Sequence, residues 1–413
     1  MSLPPLMIWL DRIKNQHRVS IDLELERVKQ VGRTLGLLKP RSPIIIVGGT
    51  NGKGSTVAAL EAIYLAAGYK TGTFTSPYLY KFNELVRIQG IEASDEDFIH
   101  AFEKIEQARG DMTLTQFEFN TLAALDIFQQ ADLDIGILEV GLGGRLDAVN
   151  IIDADVAIVT SIAMDHADWL GNTREEIALE KVGIFRAGKP AVCGDFDPPV
   201  TLLEYTNDNQ IPLFCQEEQF GFEQQSTAWS WWSQNQCEKN LPLPHLALQN
   251  MSTAMMAVEL MQDKLPVKRA AMDNALTNVN LPGRIQVIAG DVTKIVDVSH
   301  NPAAAEFLAN YLHHQTYPGK VRAVFSMLAD KDIITTLLVM RDCIDEWYIA
   351  PLLVERGSSL SVLEYCFRAA KIQAVNSYNS IKQAYEAALH ASQSGDCVVV
   401  FGSFYTVAAT VSA

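Results

Sequence analysis

The sequence predicts an α/β fold in two domains, each built on a mostly parallel sheet. Short apolar runs, among them residues 44–47, 134–140 and 156–162, alternate with segments whose apolar residues recur at helical spacing. That alternation is typical of parallel sheets covered by helices on both faces. The chain has 413 residues, which is too many for one compact core. Because the alternation restarts after residues 281–284, we predict a domain boundary there, with domains of residues 1–285 and 286–413.

Composition narrows the class of partner. Hydrophobic residues make up 48% and charged residues 20% of the chain, as in ordinary globular proteins. The formal net charge of −16 argues against nucleic acid or an anionic membrane as the main partner, because both favour a basic surface. The six cysteines include no C-x-x-C pair, so neither a zinc site nor a disulfide framework is indicated, and a cytoplasmic location is expected. No apolar run has the form of a signal peptide or the length of a membrane span.

The first domain is expected to begin with a helical lead-in, residues 6–38, and a turn at residues 39–43. The run 44–47 is then a buried strand, and residues 56–67 form a helix that ends at Gly68. Between strand and helix lie eight residues, Gly48-Gly49-Thr50-Asn51-Gly52-Lys53-Gly54-Ser55. A glycine-rich segment in this position directs backbone N–H groups and the positive end of the helix dipole at one point, which suits a polyphosphate.

Two side chains strengthen this phosphate-loop hypothesis. Lys53 would place a positive charge on the outer phosphates, and Ser55 would supply an oxygen near the accompanying magnesium ion. The strict Walker pattern is not met, because Gly54 separates the lysine from the serine. The alternative is a glycine turn that only closes an ordinary strand–helix unit. The lysine and hydroxyl at the helix start favour phosphate binding.

Further polar residues lie at the carboxyl ends of predicted strands. Ser76 follows the strand 71–75, Glu139 lies near the end of an apolar strand, and His166 follows the strand 156–162. Because ligands of parallel α/β sheets bind outside the carboxyl ends of the strands, these residues and the phosphate loop should lie along one edge. Ser76 and Glu139 would suit a magnesium ion, which prefers oxygen ligands. For His166, a second metal ion and a hydrogen-bonded structural role remain equally open.

The predicted helix 173–185 carries a lysine on its inward face. The positions three and four residues from Lys181 in either direction are all apolar, namely Ile177, Ala178, Ile184 and Phe185. One explanation is a lysine whose aliphatic stem lies on the core while its ammonium group reaches water. The other is an active-site lysine. Because a surface lysine does not belong on such a face, the active-site role is favoured.

The other segments of this domain give coarser predictions. Residues 78–88 show no clear period and are predicted to form a substrate-side loop, and residues 196–240 to form short strands or loops of a small subsheet. Further predicted helices span residues 95–108, 116–130 and 246–261. In the last of these, Asn250 near the start either caps the helix or points at a ligand.

The last third of the chain is predicted to be a smaller α/β domain. Its predicted strands span residues 294–298, 321–326, 346–350 and 397–401. Asp297, Ser299 and His300 cluster at the carboxyl end of a strand, so this domain offers a second ligand edge. Asn301 is expected to cap the next helix, with Pro302 at its first position. Two such edges suggest a nucleotide held in a cleft between the domains.

Seven motifs occur in order along the chain: Gly49 to Ser55 (GTNGKGS), Thr75 to Pro77 (TSP), Thr115 to Phe119 (TQFEF), Glu139 to Ala148 (EVGLGGRLDA), Glu180 to Ile184 (EKVGI), Pro282 to Arg284 (PGR) and Asp297 to Pro302 (DVSHNP). Together they resemble the folylpolyglutamate synthases of the Mur ligase superfamily, and more closely the bacterial bifunctional dihydrofolate synthase/folylpolyglutamate synthase family. The resemblance covers essentially the whole chain. It implies a P-loop-containing, Mur ligase-like central domain. It also implies a smaller Rossmann-like C-terminal domain that closes over ATP and binds glutamate.

The resemblance implies an ATP-dependent amide ligase. Such an enzyme joins L-glutamate to dihydropteroate, which makes dihydrofolate, and to the terminal glutamate of reduced folates, which makes folylpolyglutamates. A carboxylate is a poor electrophile, so its phosphorylation by ATP to an acyl phosphate supplies a leaving group for attack by the glutamate amine. Magnesium and Lys53 would stabilise the charge that develops during transfer.

The resemblance also implies residue roles. It assigns to ATP Thr50, Asn51, Gly52, Lys53, Gly54, Ser55, Asn250, Arg284, Asp297 and His300. Ser76 and Glu139 would hold one magnesium ion and His166 a second. Lys181 matches a lysine that this family carbamylates with carbon dioxide, and the resulting anion helps to organise the second ion. Lys53, Lys181 and His166 are therefore the expected catalytic residues.

The acceptor substrate, a pterin, is assigned to three segments by the same resemblance. They comprise Asp22, Leu23, Glu24, Thr115, Gln116, Phe117, Glu118, Leu146, Asp147 and Ala148. The sequence departs from the usual motifs at two nearby positions: Tyr78 stands in place of a histidine and Val149 in place of a threonine. Both departures bear on substrate preference more than on ATP use.

Other functions remain to be weighed. A monofunctional folylpolyglutamate synthase and a Mur-type ligase of cell-wall precursors are the nearest alternatives. A dinucleotide-dependent oxidoreductase would need a helix N-terminus directly after Gly141–Gly144, and residues 145–153 have the character of a loop. A nucleotide-binding scaffold without turnover would not require Glu139, His166 or an inward Lys181. The expected partners are therefore small molecules, and a monomer is expected.

Overall fold

The computed structural model describes residues 5–19 and 21–411. The chain divides into two compact units, with the division between Asn280 and Leu281. Each unit contains a mostly parallel sheet with helices between its strands, which confirms the predicted α/β class. Among the residues that are described, no helix is long and apolar enough to cross a membrane.

The first unit is built on an eight-stranded sheet. Its strands are β1 (Ile44–Gly48), β2 (Thr71–Phe74), β3 (Val86–Ile88), β4 (Ile91–Glu92), β5 (Ile135–Glu139), β6 (Val156–Val159), β7 (Ala191–Cys193) and β8 (Leu213–Cys215). They lie in the order β4-β3-β2-β5-β1-β6-β7-β8. The six strands from β2 to β8 in this order run parallel, and β3 and β4 add an antiparallel edge.

Two helices of the first unit precede its strands, and the others lie between the strands or after them. The helices are α1 (Pro5–Gln16), α2 (Glu26–Thr34), α3 (Lys53–Ala66), α4 (Asp95–Arg109), α5 (Gln116–Ala131), α6 (Ala167–Leu170), α7 (Arg174–Val182), α8 (Val200–Asp208), α9 (Leu248–Leu260) and α10 (Arg269–Asn278). Capping boxes fix the starts of two of them. Ser94 and Asp97 cap α4, and Thr115 and Glu118 cap α5.

The main core of this unit lies on one face of the sheet. Successive side chains of a strand point to opposite faces, so Ile44 and Ile46 of β1 enter this core, while Ile45 and Val47 face the side that α3 contacts. Helices α1, α2, α4, α5, α7 and α8 and the neighbouring strands also contribute side chains to this core. Burying each isoleucine fully contributes roughly 1.5–3 kcal/mol. The all-apolar β1 is therefore a rigid base for the loop that follows it.

Three segments differ from their predictions. Helix α3 begins at Lys53 and not at residue 56, because Gly52 takes up a left-handed conformation that turns the strand directly into the helix. The predicted loop 78–88 contains β3, whose three residues, a buried Val86 and two half-buried ones, are too few to show an alternation. The segment 196–240 contains α8, which the sequence prediction missed. Its predicted small subsheet is confirmed as an antiparallel sheet of β9 (Phe220–Gln224), β10 (Ala228–Ser233) and β11 (Cys237–Pro242).

The second unit has a six-stranded sheet in the order β12-β13-β17-β14-β15-β16. Its strands are β12 (Gln286–Ile288), β13 (Thr293–Val296), β14 (Val321–Phe325), β15 (Glu346–Ile349), β16 (Val375–Ser377) and β17 (Cys397–Phe401). Its helices are α11 (Pro302–His313), α12 (Ile333–Met340), α13 (Leu360–Ala369), α14 (Ile381–Ala391) and α15 (Phe404–Val411). All strand pairs are parallel except β12 with β13. Asn301 caps α11 with Pro302 at its start, as predicted.

Candidate active site

The sheet order of the first unit brings the predicted polar residues to one edge. Strands β2, β5, β1 and β6 are consecutive in the sheet. Ser76 follows β2, Glu139 ends β5, the phosphate loop follows β1, and His166 lies in the loop after β6. The backbone N–H of Ser76 donates to Oε2 of Glu139 at 3.3 Å. Four segments that are far apart in sequence therefore converge at the carboxyl edge of four adjacent strands.

The phosphate loop depends on glycine at two positions. Gly49 has φ +139°, and a Cβ atom there would lie 1.9 Å from Oγ1 of Thr160. Gly52 has φ +89°, and a Cβ atom there would lie 2.2 Å from Oδ1 of Asn250. Lys53 opens α3, and its Nζ donates to the carbonyl oxygens of Gly49 and Thr50 at 3.1 Å each. The loop thus presents the N-terminus of α3 and an ammonium group together, a combination that suits phosphate.

Thr160 and Ser161, which follow β6, hold the phosphate loop in place. The Thr160 hydroxyl donates to the carbonyl of Asn51 at 2.7 Å. The backbone N–H of Thr50 donates to the carbonyl of Ser161 at 2.7 Å, and the N–H of Asn51 donates to the Ser161 hydroxyl at 3.1 Å. Sequence reasoning did not single out these two residues. The available signal was a pair of hydroxyl residues at the carboxyl end of a buried strand.

Asn250 lies beside the phosphate loop. It is the third residue of α9, whose N-cap is Ala247, so the capping interpretation of Asn250 is wrong. Its side-chain amide occupies the space in which any side chain at Gly52 would have to fit. The other interpretation, a contact to a bound nucleotide, stays a prediction.

The carboxylate of Glu139 is suited to a metal ion. Glu139 is 5% exposed, and burying a carboxylate is costly unless donors or a cation compensate it. In the part of the chain that is described, no group of three or more His, Cys, Asp and Glu side chains could hold a metal ion. Magnesium takes few protein ligands and completes its shell with water and phosphate oxygens. Ser76 and Glu139 therefore fit a magnesium ion that arrives with a nucleotide.

His166 sits in an unusual backbone conformation. Its φ of +52° is left-handed, and its N–H donates to Oδ1 of Asp165 at 2.8 Å. The imidazole Nε2 lies 3.9 Å from the other carboxylate oxygen of Asp165. Arg174, at the start of α7, braces the same loop because its Nε donates to the carbonyl of Ile162 at 2.9 Å. The acidic neighbour would suit either a hydrogen-bonded or a metal-binding histidine.

Lys181 lies inside the unit, as predicted from its helical position. It is 3% exposed. Burial lowers its pKa to about 7, the nearby Lys53 ammonium acts in the same direction, and Asp165 opposes both. A large fraction of this side chain is therefore a neutral amine near pH 7, which is the nucleophilic form.

The loop after β5 carries Asp147 into the interior. Its carboxylate accepts hydrogen bonds from the backbone N–H groups of Leu142 at 2.8 Å and Val149 at 2.9 Å. Burial raises the Asp147 pKa to about 6, although these hydrogen bonds and the charge of Lys53 act in the opposite direction. The N–H of Arg145 donates to the carbonyl of Glu180 at 2.7 Å. This bond joins the loop to the helix that carries Lys181.

The three predicted acceptor segments lie close to one another. The Phe117 ring packs closely against Gly141: a Cβ atom added to Gly141 would lie only 2.5 Å from the ring. The start of α5 therefore touches the loop that leads to Asp147. The N-terminal residue Asp22 is linked to Glu118 of α5 through the guanidinium of Arg27. Sequence reasoning missed Arg27, because an arginine in an amphipathic helix is an ordinary surface residue by pattern alone.

In the second unit, the predicted residues cluster around the ends of β13 and β17. Asp297 is held by backbone N–H groups of Ile285 and Ser299, both at 2.8 Å. The Arg284 guanidinium lies 5.1 Å from the ring centroid of Phe404, and the His300 ring lies 6.3 Å from it. Phe404 was not predicted, because it comes more than a hundred residues later in the chain than Asp297.

Comparisons with known proteins match this architecture. Residues 47–241 match the Mur ligase middle domain, and residues 283–404 match the Mur ligase, glutamate ligase domain. The dihydrofolate synthase/folylpolyglutamate synthase of Escherichia coli strain K12 is 44% identical over 404 residues, which cover 98% of this chain and 94% of that protein. The chain belongs to the dihydrofolate synthase/folylpolyglutamate synthase family.

Solved structures of this family share the fold. E. coli FolC in complex with DHPP and ADP has a TM-score of 0.94 and 43% identity, with 98% of this chain and 96% of that chain covered. A bifunctional folylpolyglutamate synthase/dihydrofolate synthase with Mn, AMPPNP and L-glutamate bound has a TM-score of 0.92 and 45% identity, with 98% and 97% covered. The likeness therefore extends over both units of the chain and confirms the predicted Mur ligase-like architecture.

The two departures from the usual family motifs differ in surroundings. Tyr78 is 43% exposed, and its ring packs edge-on against Phe82 with 6.0 Å between centroids. Val149 is fully buried, and its N–H donates to the Asp147 carboxylate. Only Tyr78 therefore presents a changed side chain to solvent.

Proposed function

We propose that this protein is an ATP-dependent ligase that joins L-glutamate to dihydropteroate and to the terminal glutamate of reduced folates. The observation that carries the proposal is the convergence of the phosphate loop, Ser76 and Glu139 at one sheet edge. In addition, 98% of the chain aligns with a dihydrofolate synthase/folylpolyglutamate synthase. The bound ADP, AMPPNP and L-glutamate in the similar structures support the same substrates here.

The residues at the sheet edge suit an acyl phosphate mechanism. The N-terminus of α3 and Lys53 would bind the outer phosphates of ATP and stabilise the charge that develops as the γ-phosphoryl group moves to a substrate carboxylate oxygen. ADP leaves, and the acyl phosphate remains. The amine nitrogen of L-glutamate then attacks the carbonyl carbon. The bond to the phosphate oxygen breaks, phosphate departs, and the nitrogen loses a proton as the amide forms.

Two magnesium sites belong to this proposal. Ser76 and Glu139 would hold the first ion, and His166 with its neighbour Asp165 would serve the second. Bound magnesium would neutralise phosphate charge and so help two anions approach each other. The Mn ion in a similar structure supports the use of a divalent metal.

Carbamylation of Lys181 forms a separate part of the proposal. The neutral amine, which its lowered pKa favours, would add to carbon dioxide and release a proton to give a carbamate. The carbamate would turn the repulsion between Lys181 and Lys53 into attraction and place an anion beside the second metal site. We expect Lys181→Ala to lose ligation and to recover part of it when a short carboxylic acid is added. Unaltered activity in that variant would return Lys181 to a packing role.

The acceptor, dihydropteroate or a reduced folate, is proposed to bind at the three acceptor segments. The segments around Asp22, Thr115 and Asp147 approach one another on the side of the unit that carries the loop after β5. A monofunctional folylpolyglutamate synthase remains the first alternative and a ligase of cell-wall precursors the second.

The second unit, which matches the glutamate ligase domain, is proposed to bind L-glutamate and to contact ATP through Arg284, Asp297 and His300. A cytoplasmic location suits the six cysteines, all of which are free thiols, and a monomer is proposed with it.

Phosphate release from ATP tests the function directly. The purified enzyme is assayed with L-glutamate and either dihydropteroate or tetrahydrofolate, and mass spectrometry counts the glutamates added. Turnover with both acceptors and one glutamate per cycle is the expected result. Turnover with tetrahydrofolate alone would establish the monofunctional alternative. Lys53→Met serves as the control for contaminating ATPase, since it should release no acceptor-dependent phosphate.

A further inference from the structure

The segment between α1 and α2 depends on one arginine for its attachment to the rest of the unit. Residues 21–24 lie outside any helix or strand and include the predicted acceptor residues Asp22 and Glu24. The side chain of Arg27, in the first turn of α2, is only 12% exposed. An arginine buried to this degree needs partners for its fixed set of donors.

All three nitrogen atoms of the Arg27 guanidinium are engaged. Nη1 donates to the carboxylates of Asp22 at 2.6 Å and Glu24 at 3.1 Å. Nη2 donates to the backbone carbonyl of Asp22 at 3.0 Å, and Nε to the carboxylate of Glu118 at 3.0 Å. One guanidinium thus ties the N-terminal segment to the first turn of α5.

Glu118 is itself fixed in the interior. It is 3% exposed, and its Oε2 also accepts hydrogen bonds from the N–H of Thr115 at 2.7 Å and the Thr115 hydroxyl at 3.0 Å. Arg27 therefore binds a carboxylate that already caps α5. Phe117, which directly precedes Glu118, touches the loop that leads to Asp147. The connection runs from the N-terminal segment through Arg27 to both other acceptor segments.

We propose that Arg27 is a positioning residue of the acceptor site, which holds the segment of Asp22 and Glu24 against α5 so that the pterin-bearing acceptor binds. This inference rests on the proposed function. Arg27 acts through other residues and not on the substrate, because its nitrogens are taken up by protein acceptors. Without the guanidinium, the carboxylates of Asp22, Glu24 and Glu118 would lose the positive charge that they share, although Nε2 of His17 would still lie 3.2 Å from Asp22.

The nucleotide side of the site has a separate support. Thr160 and Ser161 hold the phosphate loop through hydrogen bonds to Thr50 and Asn51. These residues follow β6, whereas Arg27 lies on α2 and pairs with the start of α5. Loss of Arg27 should therefore affect the acceptor and leave ATP binding unchanged. This split distinguishes a positioning role from a general loss of stability.

The test compares Arg27→Ala and Arg27→Lys with a matched control. Lys104→Ala removes another ion pair to α5, in which Nζ of Lys104 on α4 lies 2.8 and 3.0 Å from the carboxylate oxygens of Asp126 on α5. Losing several charge-assisted hydrogen bonds should raise the KM for dihydropteroate about tenfold or more in Arg27→Ala, with the KM for ATP within about twofold of wild type. Arg27→Lys and added guanidinium ion should each restore part of the affinity, and Lys104→Ala should leave both KM values unchanged.

Hydrogen exchange on the free enzyme tests the structural half without reference to activity. Arg27→Ala should exchange faster than wild type in residues 21–25 and 113–118, and Lys104→Ala should not. Equal exchange in these peptides, or a parallel rise in the KM for ATP, would overturn the inference. If wild-type enzyme turned over neither acceptor, the proposed function would fail, while the exchange result would still decide whether Arg27 fixes this segment. If Arg27→Ala does not fold, Arg27→Lys carries both measurements.

Discussion

The hydroxyl of Thr160 donates a 2.7 Å hydrogen bond to the carbonyl oxygen of Asn51, which joins the end of β6 to the phosphate loop after β1. The hydroxyl oxygen of Thr160 also lies 3.2 Å from the carbonyl oxygen of Gly48. Thr160 is almost fully buried, and its hydroxyl lies within hydrogen-bond distance of both carbonyl groups. The conformation of the loop therefore depends on a side chain from the neighbouring strand.

Thr160→Val should weaken nucleotide binding. Valine keeps the shape of threonine but removes this donor from the Asn51 carbonyl, which keeps the Ser161 hydroxyl as a second donor at 3.1 Å. The expected cost is that of one hydrogen bond, about 1 kcal/mol. If that cost falls on the loop, ATP affinity drops roughly fivefold. Titration with a fluorescent ATP analogue measures it. Thr206→Val is the matched control, because the Thr206 hydroxyl donates only within α8. Equal affinity in both variants would show that the Thr160 hydroxyl does not shape the loop.

Gly49→Ala should reduce ATP affinity more than Thr160→Val does. A Cβ atom at this position would lie 1.9 Å from Oγ1 of Thr160 and 2.9 Å from its backbone nitrogen, so the loop has to move. We expect at least a tenfold loss of ATP affinity together with a lower free energy of unfolding. Calorimetric titration and chemical denaturation measure the two quantities.

Gly68→Ala provides the comparison for backbone strain alone. Gly68 also has a positive φ, of +90°, but a Cβ atom there meets no atom within 4 Å. Its substitution should cost about 1–2 kcal/mol of stability and leave ATP affinity unchanged. If Gly49→Ala behaved in the same way, the contact with Thr160 would have no influence on the nucleotide site.

The sequence was enough to locate the site edge but not the residues that hold it. Apolar runs such as 135–139 and a carboxylate at their end predict buried parallel strands and a ligand edge, because both follow from local pattern. The inward face of Lys181 follows from helical spacing in the same way. Thr160 and Arg27 escaped prediction because their roles come from contacts with residues about ninety to more than a hundred positions away. Asn250 was placed on the correct helix, but its position relative to Gly52 required the fold.

Glu139→Gln should raise the magnesium requirement. The amide keeps the size of the carboxylate but loses the charge that would hold the ion beside Ser76. Weakening a metal ligand in this way should raise the magnesium concentration for half-maximal phosphate release by at least about tenfold. Glu92→Gln is the control, since Glu92 lies on edge strand β4 of the same sheet and pairs with Lys81. An unchanged magnesium dependence in Glu139→Gln would remove Glu139 from the proposed metal site.

Lys181 should make the stability of the free protein depend on pH. Its folded pKa is about 7, whereas an unfolded lysine has a pKa of about 10.4. Between these values the unfolded chain binds more protons than the folded one, so the contribution of Lys181 to stability rises with pH. The loss of stability that comes from burying Lys181 is therefore absent above about pH 10.4, grows as the pH falls, and is fully present below about pH 7. Its full size is of the order of 4 kcal/mol.

The difference in the free energy of unfolding between wild type and Lys181→Met separates the contribution of Lys181 from those of all other titrating groups. Denaturation is measured at several pH values from 7 to 9, without metal ions or nucleotide and in buffer free of bicarbonate, so that the amine is not carbamylated. The extra free energy of unfolding of the methionine variant should shrink by roughly 1 kcal/mol for each pH unit as the pH rises from 7 to 9. Lys70→Met, at an exposed lysine, should show no such trend. A difference that stays constant across the range would mean that Lys181 keeps its proton in the folded state, and direct reaction of its amine with carbon dioxide near pH 7 would lose its physical basis.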